Sequence, residues 1–143
     1  MKDGENDFYT IKGYHLKNRN EMTEAMEDYL EMICRHAGEH EPVRINFLAE
    51  KLNVRPSSSS KMVQNLKNGG YVDFEKYGLI TPTKKGWALG KYLLYRHDVL
   101  HRFFCLVNHS ECELEQVEQI EHFLTRETII NLEKLLERMK KWE

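Results

Sequence analysis

Apolar residues recur along the chain at two different periods. After Thr23, an N-cap type, Met26, Tyr29, Leu30 and Ile33 follow at three- and four-residue spacing, which predicts a first helix running to about Ala37. Beyond a Gly38–Pro42 break, Val43, Ile45, Phe47, Leu48, Leu52 and Val54 predict a brief extended piece and a short helix ending near Asn53. Pro56, suited to the first helical position, opens another helix with Met62, Val63 and Leu66 on its inner face, and Gly69-Gly70 closes it. The period then falls to two. Residues 71–75 and 79–81 read as strands of a hairpin turning at Lys76-Tyr77-Gly78 and closed by Pro82. Thr83 caps a long helix through about Val107, followed by helices over Glu113–Leu124 and Thr125–Met139; the last places Ile129, Leu132, Leu135, Leu136 and Met139 on one side. The first 22 residues show no sustained period and read as a polar arm interrupted by Phe8, Tyr9 and Tyr14.

The expected class is mainly α: an N-terminal winged helix-turn-helix domain over 23–93, then an all-helical domain over 94–143, with the arm at 1–22. The 143 residues can bury such a core without staples. No apolar run reaches membrane-spanning length and the N-terminus lacks the order of a signal peptide, so a cytoplasmic location is expected, with no membrane partner. Cys34, Cys105 and Cys112 show no metal or redox spacing and read as free thiols, the first two as buried small apolar groups.

Charge changes the picture, because the net −2 conceals a segregation. Residues 1–50 carry 6 basic and 11 acidic side chains, residues 51–96 carry 9 and 2, and residues 97–143 carry 6 and 10. From Lys51 to Val72 there is no acid, the footprint expected where phosphates are met. That stretch contains the last helix of the triplet, the one that enters the major groove in a winged helix-turn-helix. Arg55, Ser57, Ser58, Ser59, Lys61 and Gln64 are expected on its outer face, where hydroxyls and basic groups meet phosphates and Arg and Gln read base edges. Lys76 and Tyr77 at the hairpin tip are expected to reach the flanking duplex. A serine run alone is a weak signal, since Ser is a common capping residue.

A second set of residues has metal-ligand chemistry. Asp28 and Glu31 leave one face of the first helix; Glu118, Glu121 and His122 repeat that spacing on a later helix; His97 lies between them on the long helix. Spacing alone favours solvated surface acids. Against this, the acids adjoin apolar residues, and four carboxylates gathered there without a cation would repel one another. Four oxygens and two imidazoles with no thiolate suit manganese or ferrous iron. His101, one turn beyond His97, reads as a bystander.

The segments Met-Glu-Asp-Tyr-Leu-Glu at 26–31, Ser-Ser-Ser-Ser-Lys-Met-Val-Gln-Asn-Leu at 57–66, Tyr-Arg-His at 95–97 and Glu-Gln-Ile-Glu-His at 118–122 resemble the diphtheria toxin repressor family, most closely its manganese transport regulator branch. The resemblance covers about residues 23–139. It implies Asp28, Glu31, His97, Glu118, Glu121 and His122 as ligands of one or two manganese ions, with ferrous iron as the other candidate. Iron-responsive relatives place Met and Cys where Asp28 and Glu118 match. It further implies a homodimeric repressor that binds double-stranded operators of metal-uptake genes and is not an enzyme. The sequence departs from the family in its arm, in His101, and in ending before the SH3-like third domain of longer members. Two other readings use the same residues: a di-metal carboxylate enzyme in a helical bundle, which leaves the basic segment without a role, and a winged-helix regulator that needs no metal.

Overall fold

A computed structural model describes residues 22–140; the arm expected over 1–22 lies outside the described residues except for Met22, which packs against the first core. Among the described residues, six α-helices and one hairpin follow in order. They are α1 (Glu24–Gly38), α2 (Ile45–Leu52), α3 (Pro56–Asn68), β1 (Val72–Phe74), β2 (Ile80–Pro82), α4 (Lys84–Asn108), α5 (Leu114–Ile120) and α6 (Arg126–Lys140), with short 3-10 turns at Lys76–Gly78 and Glu121–Phe123.

The boundaries have local causes. Thr23 Oγ1 accepts from the Met26 amide and Thr83 Oγ1 from the Gly86 amide, so both expected N-caps form. α2 ends where Asn53 turns left-handed at φ 54°, a conformation Asn tolerates. β1 and β2 pair antiparallel with Asp73 opposite Thr81. The hairpin is tied to the body where the Ile80 amide donates to Val43 O (2.8 Å), and its tip where Arg44 Nε donates to Tyr77 O (3.1 Å).

Two apolar clusters hold the described chain together. The first joins Leu30, Ile33, Leu48, Val63, Leu66, Val72, Ile80 and Leu93; the second joins Val99, Leu100, Val117, Ile129 and Leu136. α4 is long enough to serve both, and it lies tight on α1. A Cβ at Gly90 would strike Cys34 Sγ, so that glycine permits the approach to α1, and one at Gly86 would strike the Tyr71 carbonyl, so that one permits the approach to the segment entering β1.

Three expectations need correction. Ser59, expected on the outer face of α3, is fully buried, its Oγ 3.2 Å from Tyr29 Oη; it shares the inward stripe of Val63 and Leu66. The helix expected over Glu113–Leu124 breaks at Ile120 (φ −120°, ψ −14°), so Glu121 and His122 stand on a 3-10 turn instead of continuing the helical face of Glu118. Cys105 is half-buried rather than enclosed, while Cys34 is buried and Cys112 exposed.

Candidate functional site

The six residues of metal-ligand type converge. α1 contributes Asp28 and Glu31, α4 contributes His97, α5 contributes Glu118, and the turn after it contributes Glu121 and His122. Ligand atoms of Glu31, His97, Glu118 and Glu121 lie within 4.8 Å of one another, as do those of Asp28, Glu121 and His122, with Glu121 common to both groups. The break at Ile120 produces this sharing by carrying Glu121 inward, where it is wholly buried.

His97 Nδ1 stands 3.4 Å from Glu118 Oε1, 3.4 Å from Glu121 Oε2 and 3.7 Å from Glu31 Oε2, one ring nitrogen facing three carboxylates. Its hydrogen bonds to Glu118 and Glu121 raise its pKa to about 9. Burial, with the charge of Glu121 behind it, raises Glu31 to about 7. His122 Nε2 is 2.9 Å from Asp28 Oδ1, an ion-pair contact not aligned as a hydrogen bond, and 3.9 Å from Glu121 Oε1.

The cluster thus holds more negative charge than its own donors satisfy. Asp28 Oδ1, Glu31 Oε1 and Glu121 Oε1 are buried acceptors without a hydrogen bond. Unsatisfied buried oxygens at the meeting point of four carboxylates and two imidazoles are what a divalent cation with oxygen and imidazole preference requires, so the residues present fit such an ion.

Sequence reasoning passed over Glu27 and Arg96. Glu27 Oε1 lies 2.8 Å from His122 Nδ1, and the buried Arg96 places Nη2 3.3 Å from that oxygen. Arg96 carried a signal, since it falls on the stripe of Leu93 and Leu100, where an arginine must find an acid. His101 has work outside the cluster: its Nε2 accepts from the Glu113 amide (3.2 Å) at the start of α5.

A second surface is formed by α3. Arg55, Ser57, Ser58, Ser60, Lys61 and Gln64 are exposed along it, and Arg55 at its N-cap makes no side-chain capping bond, leaving first-turn amides open. Gln64 Nε2 is turned to Asn68 Oδ1 (3.0 Å). Lys76 and Tyr77 crown the hairpin, Tyr77 91% exposed and left-handed at φ 62°.

Residues 21–79 match the family description "Iron dependent repressor, N-terminal DNA binding domain", and residues 83–142 match "Iron dependent repressor, metal binding and dimerisation domain". Among solved structures, the manganese regulator SloR superposes with a TM-score of 0.70 at 27% identity, covering 78% of this chain and 53% of that one. The metal-dependent transcriptional regulator MtsR gives the same values. A manganese-dependent transcriptional repressor in complex with manganese gives 0.68 at 25% identity, covering 78% and 52%. The chain therefore spans about half the length of these relatives. With both family descriptions matched in order along most of its length, the chain belongs to the iron-dependent repressor family, that of the diphtheria toxin repressor.

Proposed function

We propose that this chain acts as a homodimeric repressor whose grip on double-stranded operator DNA is set by manganese, or by ferrous iron, held at the carboxylate and imidazole cluster. The observation that carries this reading is the origin of the ligand atoms. Asp28 and Glu31 belong to the helix whose inner face packs against α3, whereas His97, Glu118, Glu121 and His122 belong to the second half of the chain.

Asp28, Glu121 and His122 would hold one ion, and Glu31, His97, Glu118 and Glu121 a second, with Glu121 shared. Bound there, an ion supplies positive charge that the carboxylates otherwise lack and ties α1 to the helices beyond Leu93. The chain's own residues do the rest. α1 carries its tether to α3 through Tyr29 and Ser59, so fixing Asp28 and Glu31 fixes the attitude of the recognition helix. α3 would enter the major groove, with Ser57, Ser58 and Lys61 on phosphates and Arg55 and Gln64 at base edges; Lys76 and Tyr77 would meet the flanking duplex. Domain limits near 93/94 fit the change from one apolar cluster to the other along α4.

Two such helices in a dimer read half-sites about 34–36 Å apart or a multiple of that. Leu135 and Met139, 37% and 42% exposed and one turn apart on α6, support a second copy as the partner there. A bundle enzyme would leave α3 and the hairpin idle. The test is a DNA titration by fluorescence anisotropy, using duplexes the protein itself selects from random sequence in the presence of Mn2+. Tight binding with Mn2+ that vanishes with chelator is expected; equal binding in both conditions would favour a regulator that needs no metal.

A further inference from the structure

Arg96 occupies a place built for an apolar side chain. It lies between Leu93 and Leu100 on the inward stripe of α4, is 2% exposed, and its Nε has no hydrogen-bond partner. A guanidinium so placed needs a counter-charge, which Glu27 provides at 3.3 Å. The same Glu27 oxygen is 2.8 Å from His122 Nδ1, while His122 Nε2 faces Asp28 and Glu121. One ring nitrogen thus looks toward Glu27 and the other into the carboxylate cluster.

An imidazole that offers a lone pair from one nitrogen must keep its proton on the other, and the acceptor of that proton sets both tautomer and ring plane. Two neighbours compete for Nδ1. Arg96 Nη2, at 3.3 Å, can only donate, which would require an unprotonated Nδ1 and move the proton to Nε2. Glu27, nearer and anionic, can only accept, which requires the proton on Nδ1.

We propose that Glu27, anchored by Arg96, is the positioning residue of the metal centre: it holds the proton of His122 on Nδ1, so that Nε2 keeps its lone pair for an ion in the cluster. The assignment rests on the metal-dependent reading above. Without Glu27, Arg96 takes Nδ1 and His122 turns the wrong tautomer to the site. Glu27 is on α1, so the contact also adds a tie between α1 and the turn after α5 that contains no metal-ligand atom of its own.

The test is Mn2+ affinity, read from the electron paramagnetic resonance of the free ion, for the unmodified protein, Glu27→Ala, Glu27→Gln, His122→Ala and the double variant Glu27→Ala/His122→Ala. Loss of an outer partner of a ligating imidazole typically weakens metal binding about 10- to 100-fold, and Glu27→Ala is expected in that range. Glu27→Gln, whose amide oxygen still accepts, should retain part of the affinity, and its near-identical shape makes it the variant to read if the alanine variant does not fold. In the His122→Ala background, removing Glu27 should add little, because the residue acts through that ring. Unchanged affinity in both Glu27 variants, or an equal loss with and without His122, overturns the proposal. If the unmodified protein binds no Mn2+, the metal reading falls as well, a result distinct from either of those.

Discussion

Asp28 Oδ1, on the first helix of the DNA-binding half, lies 2.9 Å from His122 Nε2, on the turn that follows α5 in the other half. The contact couples the part of the chain that carries α3 to the part that packs α6. Its strength depends on whether a proton or a cation sits between the acids and the imidazoles.

The pH dependence of the ion-free protein follows. His97 is raised from 6.5 to about 9 by its bonds to Glu118 and Glu121, so its contribution to stability is fully present below pH 6.5 and is lost as pH rises through about 9. Glu31 is raised from 4.5 to about 7 by burial and the nearby Glu121 charge; the folded chain keeps a proton the unfolded chain releases, and that contribution also disappears as pH rises through about 7. Melting of the chelated protein should therefore shift downward between about pH 4.5, where Glu31 begins to count, and about pH 9, where His97 ceases to, whereas the stabilisation given by added Mn2+ should grow over the same interval, since the ligands must shed protons to bind. Calorimetry at several pH values, with and without Mn2+, checks both trends.

Glu121 is shared by the two candidate ligand groups and is fully buried. Glu121→Gln should remove most of the Mn2+-induced rise in melting temperature, which for the unmodified protein corresponds to about 2.7 kcal/mol when the ion is at a hundred times its dissociation constant. The same variant should lose Mn2+-stimulated operator binding. Thermal shift and anisotropy on one preparation measure both.

On α3, Lys61→Ala should weaken binding to all duplexes alike and reduce the slope of log K against log salt by about one. Gln64→Ala should instead relax preference at one base position, by about 1–3 kcal/mol. Ser59→Ala should leave the salt slope unchanged and lower folding stability by about 1 kcal/mol, because its hydroxyl bonds Tyr29 inside the core. Binding series at several salt concentrations, with denaturant melts, separate the three.

Gly90 permits α4 to lie against Cys34 of α1. Gly90→Ala should cost about 1–3 kcal/mol through overpacking, measured by urea unfolding of the chelated protein.

Much of this was legible in the sequence because the fold's signals are local. Thr23 and Thr83 cap, Pro56 opens α3, and Gly78 turns the hairpin, all through backbone chemistry that needs no tertiary partner. The convergence of Asp28 and Glu31 with His97 and Glu118 was not dictated by spacing, which favours solvated acids; it was suggested by acids placed beside apolar residues and implied by the family resemblance. What escaped was set by packing. Ser59 belongs by spacing to the stripe of Val63 and Leu66, yet sits in a run of serines of which the others are exposed. The break at Ile120 has no proline or glycine to announce it, and it moves Glu121 from a helix face into the core. Glu27 and Arg96 acquire their pairing only when α1 and α4 meet, although an arginine on an inward stripe predicts an acid nearby.

The central claim is that an ion joins α1 to α4 and the turn after α5. Anomalous diffraction at the manganese edge, from crystals grown in excess Mn2+, tests it most directly. The account predicts density bounded by Asp28, Glu31, His97, Glu118, Glu121 and His122. Saturating Mn2+ with no peak there, or with peaks only at the His36, Glu39 and Glu41 group, would contradict it.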